Sequence, residues 1–92
     1  MYVVVVYDIS LDEKGSYHWR KIFQICKRYL HHIQNSVFEG ELSEVDIVRL
    51  KYEVSDYIRD NLDSFIIFKS RNERWMEKEM LGLQEDKTDN FF

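Results

Sequence analysis

Asp8 is the residue best placed to do chemistry in this sequence. It follows the run Tyr2-Val3-Val4-Val5-Val6-Tyr7, in which every residue is β-branched or aromatic. Such side chains are stiff at χ1 and suit a buried, pleated surface. The run therefore predicts a central strand over residues 2–9 that delivers Asp8 to its C-terminal end. A carboxylate there is costly to desolvate unless it is paired, hydrogen-bonded or bound to a metal. Two uses are open. Asp8 can accept hydrogen bonds from the next turn, or it can be a magnesium ligand. Magnesium takes hard oxygen donors and often only one or two carboxylates, with waters and substrate phosphates completing the shell. One Asp per chain is thin for such a site. Two chains meeting about a two-fold axis would bring two copies of Asp8 to one ion or a pair of ions. A metal held there polarises a phosphodiester and lowers the pKa of a bound water.

Other chemistries find little support. The sequence has no nucleophile elbow, P-loop, dinucleotide fingerprint or cysteine–histidine zinc spacing. Cys26 is a lone thiol, cannot form an internal disulfide, and sits in a helical apolar stripe, which points to the core and to a reducing, cytoplasmic setting. His31 and His32 are adjacent, so on a strand they point to opposite faces and do not share a metal.

The elements that must position Asp8 follow from periodicity. Alternation puts Tyr2, Val4, Val6 and Asp8 on one strand face and Val3, Val5, Tyr7 and Ile9 on the other. Both faces are apolar. One is expected to meet helices and the other a second copy of the chain. Ser16 is a candidate cap for a helix over 16–30, in which Trp19, Ile22, Phe23, Cys26, Tyr29 and Leu30 recur at helical spacing. Arg20, Lys21, Gln24, Lys27 and Arg28 fall largely on the opposite side, either as a solvated face or as an edge that contacts phosphates. Residues 31–42 are extended, as one strand or as two with a bend, and Gly40 marks a bulge, a kink or a close backbone approach. Ser43 caps a second helix with Glu44 and Asp46 in its first turn. Its apolar stripe runs on to Leu62, so the helix is expected over 43–62. Phe65-Ile66-Ile67-Phe68 reads as another buried strand. Residues 75–82 are ambiguous: they have good helix propensity, yet 75–81 alternate and suit an edge strand whose charges discourage aggregation, and strand is favoured because Gly82 would cut a helix short.

With 92 residues the chain makes one small domain with a modest core. We place the domain at 1–82 and expect 83–92, an acidic tail ending in Phe91-Phe92, to dock on its own sheet or a partner's. The opening run is too short to span a membrane and lacks the flanks of a signal peptide, so no membrane role is expected. The formal charge is −4, so nucleic-acid binding would need a local basic patch, a metal or a partner protein.

The Tyr-Asp-Ile strand end, the helix bearing Arg-Lys, and Gln34-Asn35-Ser36-Val37-Phe38-Glu39-Gly40-Glu41-Leu42 together resemble the CRISPR-associated protein Cas-two family. Gly82 and the terminal hydrophobic pair are also similar to that family, and the resemblance covers almost the whole chain. It implies an α+β, ferredoxin-like domain: an antiparallel sheet with two helices on one face, paired sheet to sheet in a homodimer. It further implies a role in CRISPR adaptation as a scaffold between subunits of the integrase Cas-one, with DNA running across the assembly. Some members are described as magnesium-dependent endonucleases acting on single-stranded RNA or duplex DNA, and manganese is a plausible substitute. On that resemblance Asp8 matches the metal position, and Phe38 an aromatic position associated with activity. Tyr7 and Ser10 match the neighbourhood of the site, and Arg20 approximates the family's helix-borne basic residues. Several members carry arginine where this chain has His32, and the change removes a permanent positive charge near a phosphate site. The departure weakens the nuclease reading and leaves the scaffold reading intact. Two other readings remain: a non-catalytic ferredoxin-like interaction or regulatory module, and a toxin ribonuclease of the VapD type.

Overall fold

The computed structural model describes residues 1–71 and 76–82. Six elements follow one another: β1 (Tyr2–Asp8), α1 (Gly15–Tyr29), β2 (His31–Gln34), β3 (Val37–Glu41), α2 (Glu44–Ser55) and β4 (Ser64–Ser70). The strands form one antiparallel sheet in the order β2-β3-β1-β4. This is the ferredoxin-like β-α-β-β-α-β arrangement expected from the sequence.

β1 is an inner strand, bonded to β3 on one side and β4 on the other. Its alternation is as read from the sequence. Val3, Val5, Tyr7 and Ile9 join Ile22, Ile25 and Cys26 of α1 and Ile47, Leu50 and Val54 of α2 in one core. Phe38, opposite Val5 in the ladder, is the largest side chain wholly removed from water. Burial of such side chains, each contributing roughly 1.5–3 kcal/mol, is what fixes the two helices on this face.

Among the described residues no helix covers the other, open face. Val4, Val6 and Asp8 share it with Val37 and Glu39 of β3 and with Ser64, Ile66 and Phe68 of β4, as the register requires. Ile66 and Phe68 are 46% and 52% exposed. A groove of about 610 Å³ lies on this face at the Tyr2–Val4 end, closed on one side by Met76–Leu81.

Several local expectations are revised. α1 begins at Gly15, with Lys14 in the cap position and no side-chain cap bond, so Ser16 lies inside the first turn. The early start has a steric basis. A Cβ on Gly15 would stand 2.2 Å from the Ser10 carbonyl oxygen, so only glycine permits this approach. Residues 31–42 form two strands, with the bend at Asn35-Ser36, and Asn35 takes a left-handed φ of 36°. The bulge falls between His32 and Gln34 and not at Gly40. Gly40 instead meets Leu30 closely: a Cβ there would lie 3.0 Å from Leu30 Cδ2.

Ser43 does cap α2, its hydroxyl accepting a hydrogen bond from the Asp46 N–H at 3.1 Å. The helix stops at Ser55, short of Leu62. The bonding tightens at Asp56 and Tyr57, whose N–H groups donate three residues back to the Glu53 and Val54 carbonyls, and the Arg59 N–H then turns to the Asp63 carboxylate at 3.0 Å. A side-chain acceptor that captures a backbone donor in this way competes with the next helical bond. Residues 76–82 form no strand, and Lys78 bonds Glu39 from the side of the open face. The start of the expected edge strand and the whole of segment 83–92 lie outside the described residues. Among the described residues no helix is long and apolar enough to cross a membrane.

Candidate functional site

Asp8 closes β1 on the open face, opposite Ser64 of β4. It is exposed, and among the described residues its carboxylate makes no hydrogen bond or ion pair. The reading of Asp8 as an acceptor for the next turn is therefore not realised. The turn that follows β1 is held by a different acid. Asp63 Oδ1 accepts the Ser10 N–H at 2.9 Å. Its Oδ2 accepts the Arg59 N–H at 3.0 Å and Arg59 Nε at 2.8 Å. Arg59 Nη1 reaches both Asp12 carboxylate oxygens at 2.8 Å, and Nη2 reaches the Ser10 carbonyl at 3.3 Å. One guanidinium thus satisfies two carboxylates and one carbonyl beside the strand end. The Arg59 bonds, with help from the backbone N–H donors, hold the Asp63 carboxyl down to about 2 and keep Asp12 below the usual carboxylate range.

The arrangement separates Asp8 from most of the residues grouped with it by resemblance. Tyr7 points to the helix side and is buried, and burial pushes its hydroxyl ionisation up. Phe38 lies at 0% exposure on that same side, stacked near Tyr7 with ring centroids 6.3 Å apart. Neither side chain offers surface to a substrate in this arrangement. His32 sits on β2 against Phe23 and Phe38, at centroid distances of 4.8 and 5.0 Å, with Nε2 2.9 Å from the Asn35 carbonyl oxygen. Arg20 is exposed on α1, the helix layer opposite the open face. Ser10 does stand close behind Asp8, but its described contacts run through its backbone. Cys26 is buried in the core, and burial pushes its thiol up to about 12, which leaves it no role as a nucleophile at neutral pH.

Among the described residues, Asp8 is the candidate donor for a divalent cation. Asp8 offers hard oxygen lone pairs free of other partners, on a strand that fixes their position. No group of three His, Cys, Asp or Glu side chains that could hold a metal occurs among the described residues. The donor set fits magnesium only if waters, substrate phosphates or a second Asp8 complete the shell.

The Arg59–Asp63 pair was legible in part as an i,i+4 spacing of opposite charges. Asp12, 47 residues from Arg59 in sequence, carried no such signal.

Comparison with known proteins agrees with the fold. The family model for CRISPR associated protein Cas2 matches residues 1–78. The chain is 93% identical over 91 residues to a Fusobacterium nucleatum protein named CRISPR-associated endoribonuclease Cas2, covering 99% of this chain and 86% of the relative. It is 32% identical over 90 residues to the Methanosarcina acetivorans protein of the same name, covering 98% of each. The crystal structure of Streptococcus pyogenes Cas2 at pH 6.5 is similar at a TM-score of 0.80 and 28% identity, covering 89% of this chain and all of that one. With a family match over most of its length and a near-identical relative, the chain belongs to the CRISPR-associated Cas2 family.

Proposed function

We propose that this protein acts as a sheet-to-sheet homodimer in CRISPR adaptation, and that its two Asp8 carboxylates hold a divalent cation that supports cleavage of RNA. One observation carries the proposal: among the described residues, an unpartnered carboxylate ends an apolar sheet face that has no helices over it. Half-exposed Ile66 and Phe68, beside Val4, Val6 and Val37, make a surface that a second copy can cover. A two-fold axis through that face brings Asp8 toward its own copy. The names of the relatives as endoribonucleases favour RNA as the substrate.

When bound, Mg2+ or Mn2+ would supply Lewis-acid polarisation of a phosphodiester and a more acidic water. The chain's own part is to present the Asp8 oxygens from a rigid strand end and to exclude water from the apolar face beside them. The dimer would also serve as a scaffold for the integrase Cas-one and for protospacer DNA. The formal charge of −4 supports a division of labour in which the partner supplies most of the positive surface.

Asp8→Ala tests both roles. RNA and duplex DNA cleavage are measured with and without chelator, and spacer acquisition is measured with the integrase present. Metal-dependent cleavage is expected to vanish in the variant while acquisition persists. Cleavage that survives chelation sinks the metal mechanism. A purified protein that sediments as a monomer at every concentration sinks the shared site.

A further inference from the structure

The contacts around Asp63 reach the chain on both sides of Asp8. Its sequence neighbour Ser64 is the ladder partner of Asp8. Its carboxylate fixes the backbone N–H of Ser10, two residues beyond Asp8. The Asp63 side chain is 0% exposed and that of Arg59 19%, while Asp12 is 41% exposed, so the network is shielded at its Asp63 end and open to water at Asp12. Gly15 presses on the Ser10 carbonyl from the start of α1. The loop after β1 is thereby held from the helix in front of it and from the turn before β4.

We propose that Arg59 and Asp63 are positioning residues for Asp8. They touch neither metal nor substrate, and act by locking the β1 end so that the Asp8 oxygens keep one position. A strand end followed by a polar loop otherwise frays, at little cost in free energy. A cation shared between two chains tolerates little of that motion, because productive geometry has to be kept within roughly 0.5 Å. Arg59 suits the task better than lysine would. Its planar fork engages Asp63 through Nε and Nη2 while Nη1 reaches Asp12, and an ammonium lacks that directional set. The proposal rests on the metal role of Asp8 for its consequence, while the lock itself is measured independently of it.

The experiment uses the full chain and compares wild type with Asp63→Asn, Arg59→Lys and Asp8→Asn. Amide hydrogen exchange at Ser10 and Ile9 reads the lock. Mn2+ titration followed by electron paramagnetic resonance, without RNA, reads the metal. RNA cleavage against Mn2+ concentration separates the metal requirement from the maximal rate. Asp63→Asn and Arg59→Lys are expected to speed Ser10 exchange and to weaken Mn2+ binding by between about 10- and 100-fold. The rate at saturating Mn2+ should stay near wild type. Arg59→Lys retains the charge, and so keeps the test open should Asp63→Asn fail to fold. Asp12→Asn, which removes only the more exposed arm, is expected to move each readout less. Unchanged Ser10 exchange in both clamp variants overturns the proposal whatever the metal does. So does unchanged Mn2+ binding in those variants where Asp8→Asn abolishes it. If Asp8→Asn leaves Mn2+ binding intact, the nuclease reading has failed, and Ser10 exchange alone decides for or against the lock.

Discussion

The two faces of the sheet put the same residue type to different uses. On the helix side Phe38 is shut away from water between the sheet and α1, packed against Phe23 and Tyr7. On the open side Phe68 leaves about half its surface exposed, next to Val4 and above a groove lined by Met76–Leu81. Both side chains sit on antiparallel strands, bracketing β1. What separates them is what covers them. The helices satisfy one face within a single chain. On the other, among the described residues, apolar surface and an unpaired carboxylate stay uncovered, the combination on which the proposed dimer rests. In so small a domain the helices suffice to bury one sheet face, and burial there marks residues that hold the fold. A core residue close to the site in sequence need not reach it in space.

Substitutions of Phe38 and Phe68 test the distinction between the two faces. Phe38→Ala should have the largest effect, lowering stability by about 3–5 kcal/mol in urea denaturation, because it leaves a cavity where no side chain can collapse without disturbing β1. A loss under 1 kcal/mol would contradict the packing described for the helix face. Phe68→Ala should barely alter the folding of one chain. Its effect should appear in self-association, weakened about tenfold or more by sedimentation velocity, as expected for an aromatic anchor in an interface core. Equal effects of the two variants on folding would erase the distinction between the faces.

Smaller changes sharpen the comparison by sparing both faces. Ser43→Ala removes only the α2 cap and should cost about 1 kcal/mol, with self-association unchanged. The slightest effect concerns acid. Asp63 is held down to about 2 in the folded protein, below its unfolded value of 3.8. A depressed carboxylate contributes stability that is fully present above the unfolded value and lost as pH falls through the folded one. Stability should therefore decline from about pH 4 toward pH 2, and Asp63→Asn should flatten that part of the curve. A denaturation series at fixed ionic strength checks it. An unaltered acid limb in the variant would remove Asp63 from the account.

Much of the fold is written in short-range pattern. The apolar alternation of residues 2–9 placed Asp8 and Tyr7 on opposite faces, and the structure keeps them there. The same pattern already set Tyr7 apart from a site built on Asp8, although resemblance grouped the two. Asn35-Ser36 is a turn pair that favours two strands over one, since asparagine tolerates the left-handed φ it adopts. The apolar spacing of the second helix continues through Tyr57, Ile58 and Leu62, beyond its end at Ser55. Periodicity does not register that a carboxylate four residues on takes the Arg59 N–H.

From residue types and spacing alone come the opening strand and its alternation, the two helices, the Ser43 cap, and a carboxylate at the end of an inner strand. Each depends on neighbours within a turn or two of chain, where propensity and period act. Only the tertiary structure decided that Phe38 faces the helices, because its side follows from pairing with Val5 and not from its own neighbours. Only it joined Asp12 to Arg59 across 47 residues and set that pair, with Asp63, around the backbone behind Asp8. Such contacts arise when the closed sheet brings distant loops to one edge. Their strength comes from enclosure and directed hydrogen bonds, which residue spacing alone does not encode.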